Sequence, residues 1–129
     1  MKEIVVRTKR AKEVVDITER VNEAIKESGN GMCHVFLKHT TAALTTADLD
    51  PGTDLDMLDA FEKLVPKLAY RHPHDPTHVP DHILSSLIGA SLSVPVENGS
   101  CVLGTWQRIV LIEFDGPRER KIVLTFIPV

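Results

Sequence analysis

A chain of 129 residues with 43% hydrophobic content has the size of one domain able to bury a core of its own. Its formal net charge is −3 and it carries no long run of one sign, so neither nucleic acid nor an anionic membrane surface is an expected partner. No stretch approaches the ~20 apolar residues that cross a bilayer, and the cytoplasm is the expected address.

In chain order, EIVVRTKR and KEVVDI read as two short strands. TERVNEAIKESG follows as an amphipathic helix with Thr18 as cap and Gly29 as terminator. MCHVFLKHTTAALTTAD alternates, placing Cys33, Val35, Leu37 and His39 on one side and His34, Phe36 and Lys38 on the other, so His39 is expected to face the interior. PGTDLDMLDAFEKLVP predicts a second helix capped by Thr53, with Asp54 and Asp56 at its positive end and Leu55, Leu58, Phe61, Leu64 and Val65 as its apolar stripe. A third, short helix is expected from about His82 through Ala90, capped by Asp81. The remainder is strand, with hairpin turns predicted at Asn98-Gly99 and Asp115-Gly116. IVLIEF is apolar on both faces except for Glu113, which predicts a strand central in a covered sheet and a carboxylate that is either paired, with Arg108 or Arg118, or shifted in pKa. The apolar surface of this strand is expected to be covered partly by another subunit. Cys33 and Cys101, far apart and outside any CxxC pair, are expected as reduced thiols in apolar strands. The fold class predicted is α+β, a single domain over residues 1–129 with antiparallel sheets and two or three helices.

The chemically conspicuous stretch is YRHPHDPTHVPDH, residues 70–82, with four of the six histidines: His72, His74, His78 and His82. Prolines 73, 76 and 80 fix φ and remove donors, which argues against the helical HxxxH geometry of zinc proteases, and predicts a stiff irregular loop. His74 and His78 are expected as solvated loop residues, with a ligand role as the alternative. His39 and His82 carry a stronger expectation, the first ending an apolar row and the second lying beside the small residues Ser85, Ser86 and Gly89. A satisfied structural histidine is the bland alternative for each. Among carboxylates, Asp48, Asp50, Asp54 and Asp56 cluster at a turn and could hold a cation through oxygen, although capping explains the last two equally well. Neither a GxSxG elbow nor a P-loop is present.

Five pieces occur in order: HTTAALT at 39–45, YRH at 70–72, DHILSSLIGASLSVPVENG at 81–99, LGTWQ at 103–107 and EFDGPRER at 113–120. Together they resemble the secondary thiamine-phosphate synthase family, also called YjbQ-like. The resemblance implies a homotrimer with a polar pocket near subunit boundaries, lined by His39, His72 and His82. It implies too a reaction joining a pyrimidine methyl diphosphate to a thiazole phosphate. Such chemistry needs an anion site and a divalent cation such as zinc, manganese or magnesium. On this reading His39, His72 and His82 hold the metal or the substrate anion, and Thr40, Thr41, Gln107 and Arg118 contribute hydrogen bonds to a small phosphorylated metabolite. His74, His78 and Asp48 are additional candidates. The alternative function is a non-catalytic trimeric protein that binds a metal or an anion. One departure favours it: where the family pattern has Asn-Glu-Asn before Asp-Pro, this chain has Thr46-Ala47-Asp48, so Ala47 replaces the glutamate.

Overall fold

The computed structural model describes all of residues 1–129. The alternating run becomes a strand, Gly31–Leu37, that pairs with a neighbour on each side, so its backbone donors and acceptors are consumed by the sheet. Numbered in chain order, the strands are β1 Lys2–Arg7, β2 Glu13–Asp16, β3 Gly31–Leu37, β4 Ala42–Ala47, β5 Ser91–Glu97, β6 Ser100–Cys101, β7 Arg108–Glu113 and β8 Glu119–Pro128. The helices are α1 Thr18–Ile25, α2 Thr53–Leu64 and α3 Val79–Ile88, the last entered through a single 3-10 turn, Pro76–His78. One antiparallel sheet has the order β1-β8-β3-β5-β6 and a second has β2-β7-β4, which makes the fold α+β as the sequence predicts.

Period two in β3 and β8 aims Cys33, Val35, Leu37, Ile122 and Leu124 at Leu44, Ile109 and Leu111 of the smaller sheet, and α1 adds Val21 and Ile25 to this core. The opposite face of the smaller sheet, Ala43, Val110 and Ile112, packs with Phe114 against Leu84 of α3 and the half-buried Met57, Leu58 and Phe61 of α2. Residues 109–112 of β7 are 0% exposed. The sequence expectation of a central, doubly covered strand therefore holds, but the cover comes from the chain's own sheet and helices. The apolar surface of β7 needs no second subunit. What stays open is the outer face of the larger sheet, where Met32, Phe36 and Ile127 are exposed.

Several local expectations are corrected. Thr18 does not cap α1; its hydroxyl accepts from the Ile109 N–H at 2.8 Å, stitching the helix to β7, while the Asp16 carboxylate accepts the Thr18 N–H at 3.0 Å. Gly52, in the left-handed region at φ 92°, occupies the cap position of α2 in place of Thr53. Leu55 and Leu64 are exposed, because the helix touches the sheet along a narrower seam than its apolar residues suggest. Helix α3 starts at Val79 and not at His82, so Asp81 lies in its first turn. The prolines that argued against helix explain this: Pro76 and Pro80 sit in the first turns of the 3-10 segment and of α3, where a missing N–H costs nothing. Asp115-Gly116 is not a hairpin, since β7 and β8 belong to different sheets. Both cysteines are free, and burial, with Cys101 nearby, pushes the Cys33 thiol up to about 11.

Asn98-Gly99 does form a two-residue hairpin between Glu97 and Ser100, with φ of 51° and 74°. A β-carbon on Gly99 would run into the Lys26 carbonyl after α1. Gly99→Val should therefore destabilise by roughly 1–3 kcal/mol, from backbone strain and this collision together. Urea unfolding of the variant at the midpoint of the parent would show that the turn tolerates a side chain.

Candidate functional site

A buried ion pair fixes the floor of the site. Glu113, the last residue of β7, and Arg120, early in β8, are 0% and 1% exposed. Arg120 donates through Nε to Glu113 Oε1 at 2.9 Å and through Nη2 to Oε2. The predicted partners are engaged elsewhere: Arg108 with Asp16 and Glu19, and Arg118 with Asp115. Arg120 Nη2 also donates to the Thr41 carbonyl and hydroxyl oxygens, while the Thr8 hydroxyl donates to Glu113 Oε1 at 2.7 Å. Burial by itself would raise the Glu113 pKa, but the bonds from Arg120, Thr8 and the Asp115 N–H outweigh it and hold the carboxyl below its usual range.

Above this floor opens a cavity of about 680 Å³ whose lining contains no apolar residue. The turn between β3 and β4 contributes His39, Thr40 and Thr41; the proline-stiffened segment contributes His72 and His78; α3 contributes His82; and the link from β7 to β8 contributes Asp115 and Arg118. All three histidines named from the sequence thus line one pocket, with Thr40, Thr41 and Arg118. Gln107 does not: its amide bonds to the Thr46 hydroxyl and the Gly104 N–H. His74 and Asp48 are exposed and lie outside the lining, the Asp48 carboxylate accepting the Asp50 N–H. Ala47, at the end of β4, packs against the second core.

Backbone partners settle the histidine tautomers. A backbone N–H can only donate, so the ring nitrogen it reaches must carry a lone pair. His39 Nε2 accepts from the Lys121 N–H at 2.9 Å, which leaves the ring hydrogen on Nδ1. Burial, reinforced by the nearby Arg120 charge, lowers the His39 pKa and keeps this ring neutral. His39 is half-buried over the pocket and not in the apolar interior, because β3 ends two residues earlier at Leu37. His72 Nδ1 accepts the Asp75 N–H at 3.1 Å, leaving its hydrogen on Nε2 when neutral. His82 Nδ1 faces the Thr40 carbonyl at 3.1 Å and must donate, so its Nε2 keeps the lone pair in the neutral ring. The His72 and His82 rings stack, 5.2 Å between centroids at 16°. As hydrogen-bonded here, His82 alone of the three leaves a lone pair free.

The residue that sequence reasoning undervalued is His78. It is half-buried among carboxylates: Nε2 is 3.0 Å from Asp75 Oδ2, and Nδ1 is 3.4 Å from Asp81 Oδ2 and 3.3 Å from Asp115 Oδ1. The one signal available was the spacing of His78 and Asp81, which share a face only once α3 is known to begin at Val79.

A family model described as "UPF0047 protein YjbQ-like" matches residues 2–129. A UPF0047 protein of Archaeoglobus fulgidus is 40% identical over 123 residues, 95% of this chain and 97% of its own length. The UPF0047 protein YugU of Bacillus subtilis is 38% identical over 123 residues, 93% of each chain. Among solved structures, an uncharacterised conserved protein of the YjbQ/UPF0047 family from Clostridium acetobutylicum superposes with a TM-score of 0.88 at 38% identity, covering 98% of this chain and 100% of the other. A YbjQ-like protein of unknown function from Sulfolobus solfataricus does so at 0.90 with 34% identity, covering 99% and 96%.

Glu113→Gln should cost about 3–5 kcal/mol, because it strands the Arg120 charge in the interior. In the parent, the stability that the Glu113 carboxylate supplies is fully present above about 4.5, its ordinary pKa, and is lost as pH falls through the lower folded value. Melting curves from pH 7 to 3 test both points; a variant as stable as the parent at pH 7 would deny the pair its role.

Proposed function

The chain belongs to the YjbQ-like UPF0047 family, and on that premise we propose that its polar pocket recognises the phosphate groups of a small phosphorylated metabolite. The observation that carries this reading is the tautomer pattern. Backbone donors hold His39 Nε2 and His72 Nδ1, so the remaining nitrogens, His39 Nδ1 and His72 Nε2, are hydrogen-bond donors on residues lining the cavity. Arg118 and Lys38 add cationic donors, and the exposed Thr40 adds a hydroxyl. With no apolar side chain in the lining, an uncharged hydrophobic ligand finds nothing to bury against.

The enzymatic version of this reading is a thiamine-phosphate-synthase-like transfer, in which His82 Nε2, the free lone pair, would serve as the acid/base group. The rival is a binding protein without chemistry, favoured by Ala47 in place of a family carboxylate. Incubation with the pyrimidine methyl diphosphate and the thiazole phosphate distinguishes them, since only the enzyme forms thiamine phosphate. A three-histidine metal centre of zinc, manganese or magnesium at His39, His72 and His82 is the second reading of the pocket; it requires two of the rings to give up backbone donors.

We propose also that the chain assembles as a homotrimer. The exposed Met32, Phe36 and Ile127 on the outer face of the larger sheet support an association surface there. Light scattering at micromolar concentration should give three times the 14.3 kDa of one chain, and a monomer mass would end the proposal.

For the pocket, titration of metal-free protein with inorganic diphosphate should show binding that His72→Ala weakens about tenfold, roughly 1.4 kcal/mol. Circular dichroism of the variant should match the parent. No diphosphate binding at millimolar concentration, or equal binding by the variant, would defeat the anion reading.

A further inference from the structure

Around His78 three carboxylates converge on one imidazole. His78 closes the 3-10 turn that leads into α3, Asp81 follows in the first turn of α3, and Asp115 leaves β7 directly after the buried Phe114. All three ligand positions therefore sit on or beside rigid elements. His78, Asp81 and Asp115 each offer one ligand atom within 4.8 Å of the others, the one group of three histidine, cysteine or carboxylate ligands in the chain that does so, with His78 Nδ1 3.4 Å from Asp81 Oδ2 and 3.3 Å from Asp115 Oδ1.

Three further observations set the chemistry. With Asp75 Oδ2 3.0 Å from His78 Nε2, a ring that carries its hydrogen on that nitrogen turns its Nδ1 lone pair toward the two carboxylate oxygens. A lone pair facing two anionic oxygens is repulsive unless a cation lies between them. A proton is one candidate, but the Nδ1 separations of 3.3 and 3.4 Å are longer than the 2.7–2.9 Å usual for charge-assisted N–H···O bonds. A metal about 2.1 Å from each ligand instead gives ligand separations of about 3.0–3.4 Å in octahedral or tetrahedral geometry. Finally, the other oxygen of each carboxylate is held away from the centre: Asp81 Oδ1 by Lys12 Nζ at 2.7 Å, and Asp115 Oδ2 by Arg118 Nη2 at 2.9 Å. The Asp75–His78 contact repeats the carboxylate–histidine–metal relay that orients ligands in metal sites.

We propose that His78, Asp81 and Asp115 form a binding site for a first-row divalent cation such as Mn²⁺ or Zn²⁺, with Asp75 as the outer residue that fixes the histidine. One imidazole and two carboxylates suit these ions better than calcium or magnesium, which favour oxygen ligands alone. His78 and Asp115 also line the polar cavity, so the unfilled coordination positions of the ion open toward it. This centre is distinct from the three-histidine arrangement and does not depend on the anion reading.

The test uses chelator-stripped protein without an affinity histidine tag, titrated calorimetrically with Mn²⁺ and Zn²⁺. The parent should bind one equivalent per chain. Asp115→Asn should weaken binding at least tenfold, and Asp75→Asn about 10- to 100-fold, the usual effect of removing an outer partner. His78→Gln should abolish it; should that variant fail to fold, Asp115→Asn, whose amide oxygen can keep the Arg118 contact, carries the test alone. Binding of inorganic diphosphate by the same metal-free variants reads the anion proposal separately. Absence of metal uptake by the parent overturns the site, as does uptake that survives Asp115→Asn and disappears in His72→Ala, which would place the ion among the other three histidines.

Discussion

The Arg120–Glu113 pair is the constraint on which the pocket depends. The two charges come from different sheets, one from β8 and one from β7, and neither reaches water. An isolated pair so placed would not by itself stabilise the fold, because desolvating two ions costs several kcal/mol each. Here further hydrogen bonds hold both partners. Thr41 takes the outer edge of the guanidinium, Thr8 and the Asp115 N–H take the carboxylate, and the Thr8 hydroxyl in turn accepts from the Arg118 N–H at 2.9 Å. Residues 8, 41, 113, 115, 118 and 120 are thereby held in one network, and four of them line the cavity. The ion pair exchanges stability for position: it fixes the relative placement of the two sheets at the point where the site is built.

The same network sets the electrostatics above it. Glu113 neutralises Arg120, so the floor of the cavity is not a strong cation despite the guanidinium. The remaining charged lining residues are Lys38 and Arg118 against Asp75, Asp115 and Glu119. They are not mixed evenly. Asp75, Asp115 and the adjoining Asp81 surround His78, while the N–H donors of His39 and His72 are fixed by backbone contacts. A cavity with a carboxylate-rich end and a donor-rich end is better matched to a cation and an anion together than to either alone. Diphosphates travel with divalent cations for the same electrostatic reason.

Much of this was legible in the chain because it follows from local rules. The doubly apolar β7, the alternation of β3 and the Asn98-Gly99 turn each reflect a period or a backbone requirement that tertiary context did not override. His39, His72 and His82 were placed in one pocket by resemblance, since nothing local requires residues so distant in sequence to meet. The failures have a common cause in contacts made across the fold. Thr18 and Thr53 have the chemistry of caps, but the Thr18 hydroxyl is taken by β7 and the left-handed Gly52 fills the position before Thr53. Glu113 had three arginines within reach in sequence, and only the crossing of the chain from one sheet to the other selects Arg120. Gln107 sits next to β7 yet turns toward Thr46, away from the cavity.

The histidine-rich segment shows how one local rule can hide another. Prolines 73, 76 and 80 argue against helix across this segment, a sound rule for helix interiors. At a first turn the same residue is favoured, because its missing N–H would have had no partner and its φ is already helical. Reading Pro76 and Pro80 as helix starts rather than helix breakers moves the origin of α3 to Val79, three residues before His82. That shift separates the histidines by role: His74 remains exposed on the irregular stretch, His78 is fixed where the 3-10 turn meets α3, and His82 stands one turn into the helix with its Nδ1 hydrogen committed to Thr40. The prolines stiffen the approach and register the helix at once, so that His78 and Asp81, three apart, close on Asp115 in the link from β7 to β8, more than thirty positions later.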